Sequence, residues 1–168
     1  MRAIKIFLTV TALTFAMGAA PGTASADKSP STDTAMPQVA TTCHESGLTF
    51  YCKTIQSGPI ACPDGWVCLY TDANFRGMQV RWPAGNHHPN FTSITCQSGG
   101  SSVNCPHGSG QDFNDEASSW ANFTNRLYCI NWDTRPGLNN DMPVGSQGNI
   151  GGGWNDEASA LSSSGCLP

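Results

Sequence analysis

Charge is scarce in this chain. Lys and Arg number 8 against 12 Asp and Glu, 12% of 168 residues, where an ordinary domain carries about a quarter. The formal balance is −4, so no basic footprint exists for nucleic acid or for an anionic membrane. No segment keeps a helical apolar period of useful length, which excludes a helical bundle. Beyond residue 20 no apolar run is long enough to span a bilayer as a helix. A nucleophile elbow, a zincin helix motif and a phosphate loop are all missing. His87 and His88 are adjacent and would point to opposite faces of a strand, so they are poorly placed to share a metal. With His44 and His107 they read as surface residues, and the chain reads as a non-enzyme.

What is present begins with a leader. Arg2 and Lys5 precede a mostly apolar stretch, Ile6 to Ala20, and Ala24-Ser25-Ala26 is a small-residue cleavage signal. Residues 1–26 therefore read as a signal peptide and the protein as secreted and extracellular. All eight cysteines, Cys43, Cys52, Cys62, Cys68, Cys96, Cys105, Cys129 and Cys166, follow the leader. An even count in an exported chain reads as up to four disulfides, although sequence alone allows on the order of a hundred pairings. Residues 27–42 hold Pro30, Pro37 and many Ser, Thr and Ala without an apolar period, as a flexible linker or pro-segment does. Residues 43–60 form a cysteine-bounded N-terminal extension. There Ser46-Gly47 precedes Leu48-Thr49-Phe50-Tyr51, which suggests a small hairpin closed by Cys43–Cys52. The compact domain is expected over 61–168.

Within that domain Trp66–Tyr70 and Met78–Trp82 read as paired strands and Leu127–Trp132 as another. Many short strands with Gly, Pro and Asn between them predict an all-β sandwich or barrel. One phrase occurs twice, Phe113-Asn114-Asp115-Glu116-Ala117-Ser118 and Trp154-Asn155-Asp156-Glu157-Ala158-Ser159, which marks an internal duplication. The first repeat is longer by about twenty residues, and the excess falls at about 90–110, a Ser- and Gly-rich stretch holding Cys96 and Cys105. We read it as an inserted loop tied at its base by Cys96–Cys105. Long ordered insertions are uncommon unless functional, which makes it a candidate contact surface; the competing reading is a tolerated insertion with a staple. The oxygens of the repeated phrase suit a hard cation, against turns and N-caps that need no metal. Repetition, rather than a glycosidase carboxylate pair, explains the duplicated Asp-Glu. The five tryptophans, Trp66, Trp82, Trp120, Trp132 and Trp154, would line a sugar-binding face or, more often at strand positions, a core.

Tyr70-Thr71-Asp72-Ala73-Asn74-Phe75-Arg76-Gly77 allows a folded hairpin, with two rings packed together and Gly in a backbone conformation closed to side chains. Followed by Asn114-Asp115-Glu116-Ala117-Ser118-Ser119, it resembles the Greek-key motif of the βγ-crystallin family, with the full calcium-binding pattern. Two such motifs make one domain in that family, so the resemblance implies a disulfide-stapled, βγ-crystallin-like sandwich of two Greek-key motifs. The second copy departs from the pattern. Trp132-Asp133-Thr134-Arg135-Pro136-Gly137 lacks the second aromatic, and Ala160 stands where a Ser would bond the hairpin. The resemblance implies calcium in two loops, one begun by Asn114 and one by Asn155. Asp115 and Ser118 side chains with a carbonyl near Glu116 would form one site, and Asp156 and Ser159 with a carbonyl near Glu157 the other. A carbonyl from the opposite hairpin, near Asp72 to Asn74 or Asp133 to Arg135, would complete each. Sites of this kind are weak, with dissociation constants of about 10⁻⁴ to 10⁻³ M.

Ala61-Cys62-Pro63-Asp64-Gly65-Trp66-Val67-Cys68-Leu69-Tyr70, with Asn74-Phe75-Arg76-Gly77 and Phe113 to Trp120, is similar to secreted bacterial proteins of peptidase inhibitor family thirty-six. The founding type inhibits thermolysin-like metalloproteinases. The resemblance implies a Cys62–Cys68 disulfide, leaving Cys129–Cys166 to tie the last strands. In the founding type the reactive bond lies in a small disulfide-closed loop of the second half, where this chain has only Cys129 and Cys166. The expected inhibitory loop is therefore Cys96, Gln97, Ser98, Gly99, Gly100, Ser101, Ser102, Val103, Asn104 and Cys105. Its partner would be an extracellular protease met by a monomer, with no nucleic acid and no membrane involved. The alternative is a calcium-binding extracellular structural, antimicrobial or cell-wall-binding protein without inhibitory activity.

Overall fold

Short runs of β-branched and aromatic residues, cut by Gly, Asn and Pro, set the strands of this protein. The computed structural model describes residues 40–45, 49–96, 105, 112–132, 139–164 and 166. Among them nine strands run in the order β1 (Ala40–His44), β2 (Tyr51–Ile55), β3 (Trp66–Asp72), β4 (Arg76–Pro83), β5 (Ser119–Asn122), β6 (Tyr128–Trp132), β7 (Asn139–Met142), β8 (Ser146–Asn149) and β9 (Ala158–Ser162). The only helical turns among the described residues are two 3-10 turns, Phe91–Ser93 and Gly152–Trp154. The class is all-β, as the sequence predicts.

Two antiparallel sheets face each other, a larger one in the order β1-β2-β4-β3-β5-β8 and a smaller one in the order β7-β6-β9. The first repeat contributes β3, β4 and β5 to the larger sheet. Its segment at His88 instead crosses to the smaller one, where His88 and Leu161 exchange N–H···O bonds of 2.9 and 2.8 Å. The second repeat does the reverse: β6, β7 and β9 stay in the smaller sheet and β8 pairs with β5. Each Greek key thus lends its third strand to the other's sheet, and neither half can close alone. This is the βγ-crystallin-like sandwich expected from the paired motifs.

Alternation along β3 explains why the larger sheet is covered on both faces. Val67 and Leu69 point into the core between the sheets, with Val80, Trp82, Phe91, Phe113, Tyr128, Ile130 and Leu161. Cys68 and Tyr70 point outward, where Ile60, Cys62, Trp66, Phe75, Ala121 and Phe123 cover them. The Cys62–Cys68 disulfide fastens this outer cover to β3, and the Arg81 guanidinium lies 5.1 Å over the Trp66 ring. The other bridges are Cys43–Cys52, Cys96–Cys105 and Cys129–Cys166, which completes the expected set. The N-terminal hairpin extends the larger sheet, because β2 pairs with β4 from Cys52↔Arg81 to Ile55↔Met78.

Two segments differ from the sequence reading. The stretch from residue 90 opens as core: Phe91 and Ile94 are fully buried, and Phe91 stacks on Trp82 at 5.8 Å and leans on Phe113 at 5.3 Å. His88 is not a surface residue. It is 3% exposed, its Nε2 shares a 2.8 Å hydrogen bond with Ser93 Oγ, and the Tyr51 ring meets it edge-on at 5.2 Å. The crossing segment has to present a side chain to the core, and His88 occupies that place.

Burial lowers the His88 imidazole to about 4, partly offset by a backbone hydrogen bond at Asn90 and reinforced by His87. The folded protein holds the ring neutral, while the unfolded chain takes up a proton near pH 6.5. The stability His88 contributes is therefore complete above pH 6.5, declines as pH falls toward 4, and is gone below. The full difference corresponds to roughly 3 kcal/mol. Its hydrogen bond is only part-buried, and solvent screening brings the expected loss to about 1–2 kcal/mol. Urea midpoints between pH 7 and 5 should fall for the native sequence and stay nearly flat for His88→Gln. Equal slopes would exclude His88 as the source.

Candidate functional site

The first hairpin is built by three residues in the left-handed region, Asn74 (φ 60°), Phe75 (φ 63°) and Gly77 (φ 79°). Phe75 folds back onto Tyr70, with ring centroids 5.6 Å apart and planes at 71°, in the favoured edge-to-face geometry. Ser119 clasps the turn: its Oγ donates to the Asp72 carbonyl at 2.7 Å and accepts from Phe75 N at 3.1 Å. Asn149 of β8 closes the outer side, accepting from Asn74 N at 2.8 Å and donating to Asn74 Oδ1 at 3.1 Å. In the second repeat Ala160 pairs with Asn131 and has no hydroxyl for such a clasp; residues 133–138 lie outside the described residues.

The two repeated phrases meet each other. Asp115 and Asp156 take the same left-handed conformation, φ 59° and 60°, which Asp tolerates better than most residues. Asp115 N donates to Ala158 O at 3.0 Å, and Asp156 N donates to Ala117 O at 3.3 Å. The side chains repeat the symmetry, with Ser118 Oγ donating to Asp156 Oδ1 at 2.9 Å and Ser159 Oγ to Asp115 Oδ1 at 3.5 Å. Asn114 Nδ2 donates to Asp115 Oδ2 at 2.7 Å, and Asn155 makes the matching bond to Asp156. The sequence grouped each Asp with the Ser of its own phrase. In the structure each hydroxyl reaches the carboxylate of the other phrase, because the phrases run past each other about a local two-fold. The result is a pair of all-oxygen clusters, each with a carboxylate and a hydroxyl from different repeats. Such a donor set fits a hard cation. The copies are unequal, since Glu116 is buried and Glu157 exposed.

The base of the expected inhibitory loop is anchored. Cys96 and Cys105 are both buried, and Thr95 forms a bridge with Asp112. Lys53 Nζ donates to Thr95 O at 2.6 Å from a side chain only 6% exposed, and burial lowers its pKa. The remaining loop residues, 97–104, lie outside the described residues. Sequence reasoning missed Lys53; its place in a strand between Cys52 and Thr54 was the available signal. The tryptophans divide: Trp82, Trp120 and Trp132 are buried, Trp66 is half-buried, and Trp154 is exposed.

A family model described as peptidase inhibitor family I36 matches residues 56–136. No curated protein matches the chain. Among solved structures, one described as "Evolution of the eye lens beta-gamma-crystallin domain fold" is 26% identical, covers 66% of this chain and 93% of its own, and superposes with a TM-score of 0.44. The family match supports a peptidase inhibitor-like function with a protease as partner. The disulfides fit an extracellular protein, and no helix among the described residues is long and apolar enough to cross a membrane. The matched stretch carries the outer cover, the folded hairpin, the Cys96–Cys105 bridge and the first oxygen-rich phrase, and over residues 56–136 this βγ-crystallin-like protein is similar to peptidase inhibitor family I36.

Proposed function

We propose that the protein is a secreted inhibitor of metalloproteinases that acts through the Cys96–Cys105 loop. The observation that carries the reading is the fixed base of that loop, held by a buried disulfide, the Thr95–Asp112 bridge and the Lys53–Thr95 hydrogen bond. A loop held at its base loses little entropy on entering a cleft, which converts contact area into affinity. The mature protein should inhibit a thermolysin-like enzyme and leave serine and cysteine proteases active. Deleting residues 97–104 should weaken inhibition at least about 100-fold, the loss of one good interface anchor, with the melting temperature kept. Inhibition that survives the deletion sinks the assignment.

A second reading, compatible with the first, is structural calcium. The cross-repeat Asp115–Ser159 and Asp156–Ser118 clusters favour it. A bound cation would add a clamp to the hydrogen bonds that join the two phrases. At ten to twenty times the dissociation constant, calcium should stabilise the fold by about 1–2 kcal/mol, a rise of several degrees in melting temperature. Asp115→Ala should remove part of that rise. A melting temperature indifferent to millimolar calcium defeats the metal reading and leaves the inhibitor reading intact.

A further inference from the structure

The duplicated phrase opens with an aromatic ring in both copies, and the two rings have opposite fates. Phe113 is fully buried, whereas Trp154 is 45% exposed. Among the described residues it is the one aromatic side chain in the group of exposed large apolar residues, beside Leu127 and Val144. Trp154 ends the Gly152–Trp154 turn and stacks on Trp132, with centroids 5.7 Å apart and planes at 23°. Trp132 is 3% exposed, so the pair forms a fixed platform with one ring in the core and one in solvent. A cleft of about 220 Å³ opens beside it, lined by Trp132, Asn139, Asn140, Ile150, Gly151 and Trp154.

The lining selects a class of ligand. None of these six residues is charged, so among the described residues the cleft sets no counter-charge against a phosphate or a metal ion. A carboxamide combines two donors with an acceptor, which matches neighbouring hydroxyls on a sugar ring, and an indole face accepts the apolar C–H side of that ring. The volume is below the roughly 300–1,000 Å³ of pockets for drug-sized ligands, and suits a single ring. A protein-docking centre would instead gather several exposed anchors in a dry patch; here Trp132 and Ile150 are buried, and Trp154 alone of the apolar lining side chains is exposed, beside Gly151 and two asparagines. We propose that the Trp132–Trp154 cleft binds a neutral pyranose unit of a polysaccharide. The proposal does not depend on the inhibitor reading.

The test uses the mature protein and follows the indole N–H resonance of Trp154, assigned with Trp154→Phe. Cellotetraose and the tetramer of N-acetylglucosamine are the neutral probes, and tetragalacturonate is the charged one. A neutral probe should shift the resonance saturably, with a dissociation constant on the order of 10⁻³ M, as expected for one ring bound at ordinary ligand efficiency. Trp154→Ala should weaken binding at least tenfold. Asn140→Ala, at an exposed edge position, should weaken it severalfold without moving the melting temperature. Tetragalacturonate should bind no better than the neutral probes. No saturable shift with either neutral probe overturns the proposal, as does native affinity in Trp154→Ala. Weakened protease inhibition in Trp154→Ala, without sugar binding by the native protein, assigns the tryptophan to protein docking instead.

Discussion

Gly77→Ala should cost roughly 3–5 kcal/mol, a large share of the 5–15 kcal/mol that holds a domain together. Two effects add. Gly77 has φ +79°, where any side chain is strained by about 1 kcal/mol or more. A Cβ there would also overlap Thr71 Oγ1 and approach Asp72 Oδ2 to 2.9 Å. The overlap cannot be relieved cheaply, because Thr71 is fully buried and its Oγ1 accepts a 2.9 Å bond from Met78 N. Moving Thr71 breaks that bond and disturbs the bulge between Tyr70 and Asp72. Gly65 provides the control. Its φ is +81°, yet a Cβ there meets nothing within 4 Å, so Gly65→Ala should cost only about 1 kcal/mol. Urea unfolding of the two variants separates strain from collision. A Gly77→Ala loss no greater than that of Gly65→Ala would show that the hairpin can open without penalty.

That hairpin was legible in the sequence because its determinants are close together. Tyr70, Phe75 and Gly77 lie within one turn, and each residue type has a local reason to be there. The duplicated phrase was legible for a different reason, since repetition is visible without knowing its purpose. Which Ser meets which Asp was not legible. Ser118 and Asp156 are 38 residues apart, Ser159 and Asp115 are 44 apart, and only the local two-fold sets their partners.

Burial was hardest to read where polarity misled. His88 and Lys53 are residue types expected at the surface, yet both are buried because a crossing segment and a loop base require them. Phe91 and Ile94 sit in a polar stretch that looks like loop, yet their spacing of three puts both on the core side of the Phe91–Ser93 turn. Trp154 erred in the other direction. A tryptophan in a small domain is usually core, and the longer first repeat shows how: Phe91, in the stretch the second repeat lacks, packs on Phe113. Trp154 has no counterpart to Phe91 and rests on Trp132 alone among the ring contacts of the described residues.

Removing the Cys129–Cys166 bridge should be the most damaging disulfide loss, at about 4 kcal/mol. The bridge closes a sequence separation of 37, against 9 for Cys43–Cys52, and the chain-entropy model makes the longer closure worth more, about 4 against about 2.5 kcal/mol. Position adds to length. Cys129 is fully buried in β6, the central strand of the smaller sheet, whereas Cys43 is exposed on β1 at the edge of the larger one. The long closure contains all of the second repeat from β6 to β9, and so both Asp156 and Ser159. Its loss should therefore loosen the cross-repeat Ser118–Asp156 and Ser159–Asp115 bonds before the larger sheet melts, whereas loss of the edge bridge should free only β1 and β2. Urea unfolding of the two double-alanine variants tests the order, and amide exchange tests the location. Should Cys129→Ala/Cys166→Ala prove no less stable than Cys43→Ala/Cys52→Ala, the second repeat is held by its strand pairing with the first, and the bridge only secures the C-terminal tail.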